Sequence, residues 1–406
     1  MEQLFLSTPA IVTALGNGIK EHIQRLIAGG NSPIEKSKAI FNEHQIEGKI
    51  QFFGAINQPL REFDENLDPQ HHSRNNQLLW HALQQIEPQI EQVISRFGKQ
   101  RIAVVIGTST TGVDENIPVF RQAVKNNDWA KIPFNHHQQL FSAPADFVAH
   151  QYGLQGLCYG ISTACTSGAR ALISAARLLK SDLCDAVICG GVDTLSPLTI
   201  SGFNSLSVLA SNRTNPFSEN REGINIGEGA AVFVMTKEKL EEQAIAFLGY
   251  GSSSDAYHMS SPHPEGKGAI CAFEEALKSA QLDPEDIGWV NLHGTGTVHN
   301  DQMESIAIAK VFGDYTPCTT TKPYTGHTLG AAGAVEAAIS WGMINRSYNP
   351  EGNLPTQLWD QQTDPQLPNI AITHNTQWQK TRRIAASSSF AFGGNNSVLI
   401  LGEQND

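Results

Sequence analysis

Residues 161–180 read Ile-Ser-Thr-Ala-Cys-Thr-Ser-Gly-Ala-Arg-Ala-Leu-Ile-Ser-Ala-Ala-Arg-Leu-Leu-Lys. From Ala169 onward the segment is rich in Ala, Leu, Ile and Arg and has no Pro, which predicts a helix. Ser, Thr and Gly are typical of a helix start, so the helix begins close to Cys165. Unpaired backbone N–H groups and the helix dipole at such an end favour a thiolate over a thiol. The stretch therefore predicts a buried helix with a nucleophile at its tip, although most free cysteines are simply small buried hydrophobic residues.

This predicted helix is crowded with Gly, Ala and Ser, so another backbone can pack closely against it. A second segment repeats the design. Residues 327–338 read His-Thr-Leu-Gly-Ala-Ala-Gly-Ala-Val-Glu-Ala-Ala, a reactive side chain that opens a helix of small residues. The repetition indicates a chain built from two similar halves.

The composition excludes several classes of protein. The chain has 406 residues, 40% hydrophobic and 17% charged, which is typical of a globular protein of two or three domains. Its net charge of −12 argues against binding to nucleic acid or to an anionic membrane surface. The six cysteines show no CxxC pair and no spacing to His that indicates zinc, so no metal is predicted. We see no signal peptide and no apolar run of about 18 residues, which predicts a cytoplasmic protein without a membrane span.

Apolar runs alternate with helical patterns along the whole chain. The runs at 102–106, 185–189, 230–234 and 289–292 predict buried strands of a mostly parallel sheet, and the fold class is therefore α/β. Residues 77–97 are predicted to form one long amphipathic helix.

Three further segments carry candidate functional residues. His293 follows an apolar run and opens the sequence His-Gly-Thr-Gly-Thr, and Lys322 stands five residues before His327. Residues 390–394 read Phe-Ala-Phe-Gly-Gly, a turn between two predicted strands. Taken singly, each histidine is more often a structural residue, the lysine a solvated charge and the phenylalanines part of the core.

Together these motifs resemble the β-ketoacyl-[acyl carrier protein] synthases, the decarboxylating condensing enzymes of fatty acid and polyketide assembly. The resemblance runs from about residue 8 to the C-terminus and includes Thr-Ala-Cys165, Lys322-x4-His327 and Phe392-Gly-Gly-x-Asn396. It implies a thiolase-like fold, in which two similar βα halves form a layered αβαβα core. We predict an N-terminal half at residues 1–245, which carries the cysteine and an inserted region for the dimer and the pocket. A C-terminal half at residues 246–406 carries both histidines.

The resemblance also implies catalytic roles. Cys165 takes up the acyl group, and the backbone N–H groups of Cys165 and Phe392 stabilise the oxyanion. His293 and His327 donate hydrogen bonds to the enolate that decarboxylation of a malonyl thioester leaves. Lys322 is implied to orient its neighbours.

The implied substrate contacts belong to two groups. Hydroxyl groups that bind the phosphopantetheine arm are those of Thr295, Thr297, Ser260 and Ser261. Residues of the acyl pocket are Thr110, Phe203 and Phe390. No cofactor is permanently bound, because the substrates are carried on the phosphopantetheine of acyl carrier protein, which is the implied partner. A homodimer is expected, with a heterodimer of related synthase subunits as the alternative.

Two other functions fit the pattern less well. Thiolase-type acyltransferases use a second cysteine in the Gly-rich C-terminal loop, and residues 390–394 contain none. A non-catalytic chain-length subunit would lack Cys165. It remains the alternative of a different class.

The sequence also departs from the common fatty acid elongation enzymes. Ala391 replaces a usual Gly, and Ser388 replaces a usual Asn. Thr110 introduces a hydroxyl where the pocket is usually apolar. We expect this hydroxyl to face the acyl chain; the alternative is that it bonds within its own loop. Residues 73–77 carry one positive charge where elongation enzymes have several for docking the carrier protein. These departures favour aryl polyene or a related specialised pathway.

Overall fold

The structure is a computed structural model, and it describes residues 3–36, 51–130 and 132–404. The strands are β1 (Leu4–Leu6), β2 (Ala10–Thr13), β3 (Gly16–Asn17), β4 (Glu35–Lys36), β5 (Phe52–Phe53), β6 (Ile102–Gly107), β7 (Cys158–Ile161), β8 (Ala186–Asp193), β9 (Gly229–Thr236), β10 (Ile245–Ser254), β11 (Trp289–Asn291), β12 (Cys318–Thr319), β13 (Ile384–Ala391) and β14 (Asn395–Gly402). The α-helices are α1 (Ile19–Ala28), α2 (Arg74–Leu83), α3 (Glu87–Phe97), α4 (Ile117–Asn126), α5 (His136–Gln139), α6 (Ala143–Tyr152), α7 (Ser167–Lys180), α8 (Pro197–Ser205), α9 (Lys267–Ala280), α10 (Val298–Phe312), α11 (Lys322–Thr325) and α12 (Ala332–Ile344).

Two halves of the main sheet have the same strand order. The order across the sheet is β12-β11-β13-β14-β10-β1-β9-β8-β6-β7. Each half contributes five strands to this order: β1, β6, β7, β8 and β9 from the first half, and β10 to β14 from the second. When the five strands of a half are numbered along the chain, both halves have the order third, second, fourth, fifth, first, read from the outer edge of the sheet to its centre. The two first strands, β1 and β10, pair antiparallel and join the halves. The prediction of two similar βα halves is confirmed, whereas the boundary between residues 245 and 246 stays a prediction.

The prediction of a mostly parallel sheet is wrong. In each half the second strand pairs in parallel with the third and the fourth, as β6 does with β7 and β8. The fifth strand is antiparallel to the fourth, both for β8 and β9 and for β13 and β14. A tight turn directly joins β13 to β14, and strands joined in this way can only be antiparallel. The sheet is therefore mixed.

A break divides the predicted helix at residues 77–97 into α2 and α3. Pro88 lies in the first turn of α3. Proline lacks an N–H donor, and its ring clashes with the preceding turn of a continuous helix, so it is tolerated only at a helix start.

Helices α7 and α12 occupy equivalent places in the two halves, because each follows the third strand, and they pack against each other. A methyl group added at Gly168 of α7 would lie 2.8 Å from the backbone nitrogen of Ala334. One added at Gly333 of α12 would lie 2.7 Å from the backbone nitrogen of Ala169. The small residues therefore let the two backbones touch, as the sequence predicts, and the tips of both helices meet.

We expect Gly168→Ala to destabilise the fold. The added methyl group has no space at the α7–α12 contact, and overpacking of this kind costs about 1–3 kcal/mol. Chemical denaturation measures the change in the free energy of unfolding. Gly202→Ala in α8 is the matched control, because no atom of the described chain lies within 4 Å of its added methyl group. Equal effects of the two substitutions on stability would contradict the close contact.

Candidate active site

Cys165 lies in a strained turn between β7 and α7. The preceding residue, Ala164, has a φ of 52°, in the left-handed region that residues other than glycine rarely adopt. Ser167 holds the turn, since its hydroxyl donates to the Ala164 carbonyl at 2.6 Å and accepts from the Thr163 N–H at 2.9 Å. The thiol is buried and sits just before the first residue of α7, as the sequence predicts.

Two histidines from the second half meet this thiol. The Nε2 atom of His327 lies 3.1 Å from the Sγ atom of Cys165. The ring of His293 stands nearly perpendicular to that of His327, with 5.2 Å between the ring centroids. One ligand-type atom from each of the three residues lies within 4.8 Å of the others, and all three side chains are buried. A Cys-His-His group could also bind a metal, but the adjacent ammonium group of Lys322 disfavours a second cation.

Lys322 fixes the protonation pattern of His293. Its Nζ atom lies 3.3 Å from His293 Nδ1 and also contacts the carboxylate of Glu336. An ammonium group only donates hydrogen bonds, so Nδ1 accepts one and the ring proton of His293 lies on Nε2. The predicted orienting role of Lys322 therefore has a direct geometric basis.

Burial sets the charge state of the site. Desolvation, together with the charge of Lys322, lowers the pKa of both His293 and His327 well below the usual value, so both rings are neutral at neutral pH. Burial also raises the pKa of Cys165 to about 12, opposed by Lys322. The expectation that the helix tip favours a thiolate is therefore wrong for the free site, because desolvation outweighs it. A neutral thiol faces a neutral imidazole.

Glu304, a residue that sequence reasoning missed, holds the loop of His293. Its carboxylate accepts the backbone N–H groups of His293 and Gly294, each at 2.7 Å. The hydroxyl of Ser388 donates to the same carboxylate at 2.8 Å and accepts from the His293 N–H at 3.0 Å. Burial raises the pKa of Glu304 to about 7. The signal that could have found it is an acidic residue on the buried face of α10, one turn after Asp301.

A cavity with about 700 Å³ of empty space, the open solvent at its mouth included, leads to the thiol. The predicted residues that line it are Cys165, Phe203, Ser260, Ser261, His293, Thr295, Thr297, His327, Phe390 and Phe392. The residues that were not predicted are Val208, Ile224, Asp255, Pro262, His299, Asn300, Ala391 and Asn396. The rings of Phe203 and Phe392 lie 5.7 Å apart, and 37% of Phe392 is exposed. These two rings therefore form part of the wall that a substrate passes.

Thr110 does not line this cavity. Its hydroxyl donates to the carboxylate of Asp193 at 2.8 Å, and its backbone N–H donates to the same oxygen at 2.9 Å. The hydroxyl is therefore held by a carboxylate at the end of β8 and not within its own loop. A place for Thr110 beside the acyl chain stays a prediction.

Comparisons with known proteins identify the family of the chain. The family model "Beta-ketoacyl synthase, N-terminal domain" matches residues 9–241, and "Beta-ketoacyl synthase, C-terminal domain" matches residues 245–352. The 3-oxoacyl-[acyl-carrier-protein] synthase 2 of Coxiella burnetii is 30% identical over 96% of both chains. A putative mitochondrial 3-oxoacyl-[acyl-carrier-protein] synthase of Schizosaccharomyces pombe is 28% identical over 99% of both chains.

Among solved structures, the ketosynthase (ApeO) in complex with its chain length factor (ApeC) from Xenorhabdus doucetiae superposes with a TM-score of 0.90. The identity is 41%, over 99% of this chain and 98% of that one. The chain belongs to the β-ketoacyl synthase family and has its thiolase-like fold. It is accordingly a condensing enzyme of the acyltransferase class. None of its described helices is both long and apolar enough to cross a membrane.

We expect Lys322→Met to slow alkylation of Cys165 by iodoacetamide. Removing the cation raises the pKa of a thiol that burial has already raised to about 12, so less thiolate forms at a given pH. In the unsubstituted protein the rate should rise between about pH 7 and pH 10 without a plateau, because the folded pKa lies above that range. Peptide mapping by mass spectrometry measures the rate at Cys165.

Lys278→Met is the control, since Lys278 is exposed on α9 and should leave the rate unchanged. Faster alkylation of Cys165 in Lys322→Met would contradict the assigned electrostatics.

Proposed function

We propose that the chain catalyses decarboxylative Claisen condensation of malonyl-[acyl carrier protein] with an acyl group held on Cys165. The observation that supports this most strongly is the contact between Cys165 and His327, with His293 beside them and Lys322 behind His293. A non-catalytic subunit has no use for such an arrangement, and the alternative is not favoured.

The acyl group reaches Cys165 by thioester exchange. The neutral Nε2 atom of His327, 3.1 Å from Sγ, takes the thiol proton while sulfur attacks the acyl carbonyl. The tetrahedral oxyanion lies against the N–H groups of Cys165 and Phe392, as the family resemblance implies. When the intermediate collapses, the departing thiolate of the carrier arm takes the proton.

Condensation follows when malonyl carrier protein enters. The bond between the carboxylate and the central carbon breaks, CO2 leaves, and the electron pair becomes an enolate. For this step the proton of neutral His327 moves from Nδ1, which has no hydrogen-bond partner among the described residues, to Nε2. The Nε2–H groups of His293 and His327 then donate to the enolate oxygen. The nucleophilic carbon then attacks the acyl thioester on Cys165, and the sulfur leaves as a thiolate. Lys322 contributes by keeping the His293 proton on Nε2.

The mouth of the cavity suits a phosphopantetheine arm, which we propose as the carrier of both substrates. The hydroxyl groups of Thr295 and Thr297 lie 2.9 Å apart, and both residues line the cavity together with Ser260 and Ser261. Such hydroxyls can bind the two amides of the arm. No permanently bound cofactor is needed.

The carrier protein meets a surface with little positive charge near residue 74. Arg74 donates two hydrogen bonds to the buried carboxylate of Glu228, at 2.6 and 3.3 Å. Its charge is thus compensated within the chain. We propose that acyl carrier protein docks here with a weaker salt dependence than in elongation enzymes that carry several basic residues at this place.

We propose further that the enzyme works in the cytoplasm, paired with a second thiolase-fold subunit, in a specialised pathway. Support comes from the higher identity to the ketosynthase that has a chain length factor, 41%, than to the Coxiella synthase, 30%. Ala391 and Ser388, which depart from the residues usual in fatty acid elongation enzymes, also support a specialised pathway. A related subunit is the favoured partner, and a second copy of this chain is the alternative, which native mass spectrometry distinguishes by mass.

We expect His293→Ala and His327→Ala to slow malonyl decarboxylation by about 10²-fold or more, the usual loss when an oxyanion donor is removed. Of these two histidines His327 is the one whose Nε2 atom contacts Sγ, so His327→Ala should also slow acylation of Cys165, whereas His293→Ala should leave it measurable. Labelled CO2 release and intact-protein mass report the two steps separately. Cys165→Ala should abolish condensation.

His374→Ala, at an exposed position, is the control. Melting curves must show that each variant is folded. Normal CO2 release from a folded His293→Ala/His327→Ala double variant would refute the assignment.

We expect the enzyme to elongate conjugated acyl chains in preference to saturated chains of equal length. A rigid conjugated chain loses little conformational entropy in a narrow pocket, and Ala391 narrows the conformations of the loop that borders it. Thr110→Ile should leave this preference unchanged, because the Thr110 hydroxyl is bound to Asp193. Competition between matched acyl carrier proteins, read by mass spectrometry, measures the ratio. A preference for the saturated chain would place the enzyme in ordinary fatty acid elongation.

A further inference from the structure

Asp193 is a fully buried carboxylate at the end of β8. No ion pair with it occurs within the described ranges. A buried charge without a counterion is costly unless hydrogen bonds replace its hydration. Here donors surround it. One oxygen accepts from the hydroxyls of Thr108 and Thr110 at 2.7 and 2.8 Å, and from the N–H groups of Ser109 and Thr110 at 2.8 and 2.9 Å.

The other oxygen reaches the second half of the chain. It accepts from the backbone N–H of Gly330 at 2.6 Å, and the hydroxyl of Ser109 also donates to it. Gly330 lies between His327 and the first residue of α12. Asp193 therefore joins the loop after β6 to the segment between His327 and the start of α12.

The end of β6, from which this loop starts, lies close to the start of α7. A methyl group added at Gly107, the last residue of β6, would lie 2.4 Å from the backbone carbonyl carbon of Ser167, two residues after Cys165. The carboxylate of Asp193 thus connects the starts of both helices. It reaches the start of α12 directly through Gly330, and the start of α7 indirectly through the loop after β6.

A strained residue shows how firmly this loop is held. Thr111 has a φ of 51°, in the left-handed region, which is a genuine outlier for a β-branched side chain. Such a conformation persists only where the surroundings over-determine it. Thr111 is buried, and its N–H donates to the Thr108 hydroxyl at 3.3 Å, while that hydroxyl donates to Asp193.

We propose that Asp193 is a positioning residue that couples the loop after β6 to the start of α12 and so sets the distance between Cys165 and His327. This rests on the proposed function, in which that distance governs both acylation and condensation. Its charge also acts on the thiol. Asp193 and Glu336 raise the pKa of Cys165, and Lys322 lowers it, while His293 and His327 beside the thiol are neutral.

Asp193→Asn tests both effects with almost no change in shape. Hydroxyl groups can turn to accept from the new amide, but backbone N–H groups cannot. The single amide oxygen can serve only one side, and two strong backbone donors, Ser109 and Thr110, face one oxygen while Gly330 faces the other, so the contact with Gly330 is the one expected to be lost. We expect condensation to fall by about 10- to 100-fold, the scale for small misplacements of reacting groups. Alkylation of Cys165 at fixed pH should become faster, because a negative charge is removed. General damage to the fold would also expose the other buried cysteines to alkylation. Slower condensation together with faster alkylation at Cys165 alone is therefore specific to the loss of Asp193.

Gly330→Ala tests the same contact without changing any charge. Its methyl group would lie 2.6 Å from the Asp193 oxygen and displace the start of α12. Condensation should fall as in Asp193→Asn, while the pH dependence of Cys165 alkylation should stay as in the unsubstituted protein. If Asp193→Asn does not fold, this variant still decides the positioning role.

Glu403→Gln is the matched control, because Glu403 also accepts a backbone N–H, from Arg383 at 2.9 Å, but follows the end of β14 remote from the cavity. Glu403→Gln should change neither the rate of condensation nor the rate of Cys165 alkylation. Normal condensation in folded Asp193→Asn and Gly330→Ala would overturn the inference. An unsubstituted enzyme that does not condense malonyl and acyl carrier proteins would instead refute the proposed function, and the alkylation reading at Cys165 would still report on Asp193.

Discussion

The close contact between α7 and α12 is the constraint on which the site depends. Gly168 and Gly333 leave no room for a side chain, so the backbones of the two helices lie close together. Cys165 and His327 precede these helices, and their reactive atoms therefore meet at 3.1 Å although they are 162 residues apart in the chain. Because both helices follow the third strand of their half, the repeated strand order explains why one half supplies the nucleophile and the other its imidazole partner.

Buried carboxylates hold the remaining parts in place. Glu304 clamps the loop after β11, the second strand of its half, and Asp193 clamps the loop after β6, the second strand of the other. Each accepts consecutive backbone N–H groups, which fixes the direction of the chain as well as its position. Glu336 instead compensates the charge of Lys322. The interior of the enzyme is thus organised by hydrogen bonds to charge, at a desolvation cost that a purely structural core would avoid.

The sequence was sufficient for the parts that depend on local pattern or on long motifs. The apolar runs located β6, β8, β9 and β11, and the glycines and alanines of residues 161–180 and 327–338 predicted the helix contact. The direction of the fifth strands was missed because a run of apolar residues does not tell parallel from antiparallel pairing. The Thr110 hydroxyl bonds to Asp193, which lies 83 residues away in the chain. Glu304 accepts from backbone N–H groups 11 and 10 residues away. No rule of sequence spacing predicts either pair of partners.

The ammonium group behind His293 has a chemical consequence for the substrate. An imidazole whose other nitrogen faces a cation can offer a proton but is a poor acceptor of one. His293 is therefore unsuited to removing a proton from an unactivated acetyl thioester. The electrons for carbon–carbon bond formation have to arrive already stored in the extender, as a carboxylate that is discarded when the bond is made. Because the discarded CO2 diffuses away, such a site builds chains and is poorly equipped to shorten them.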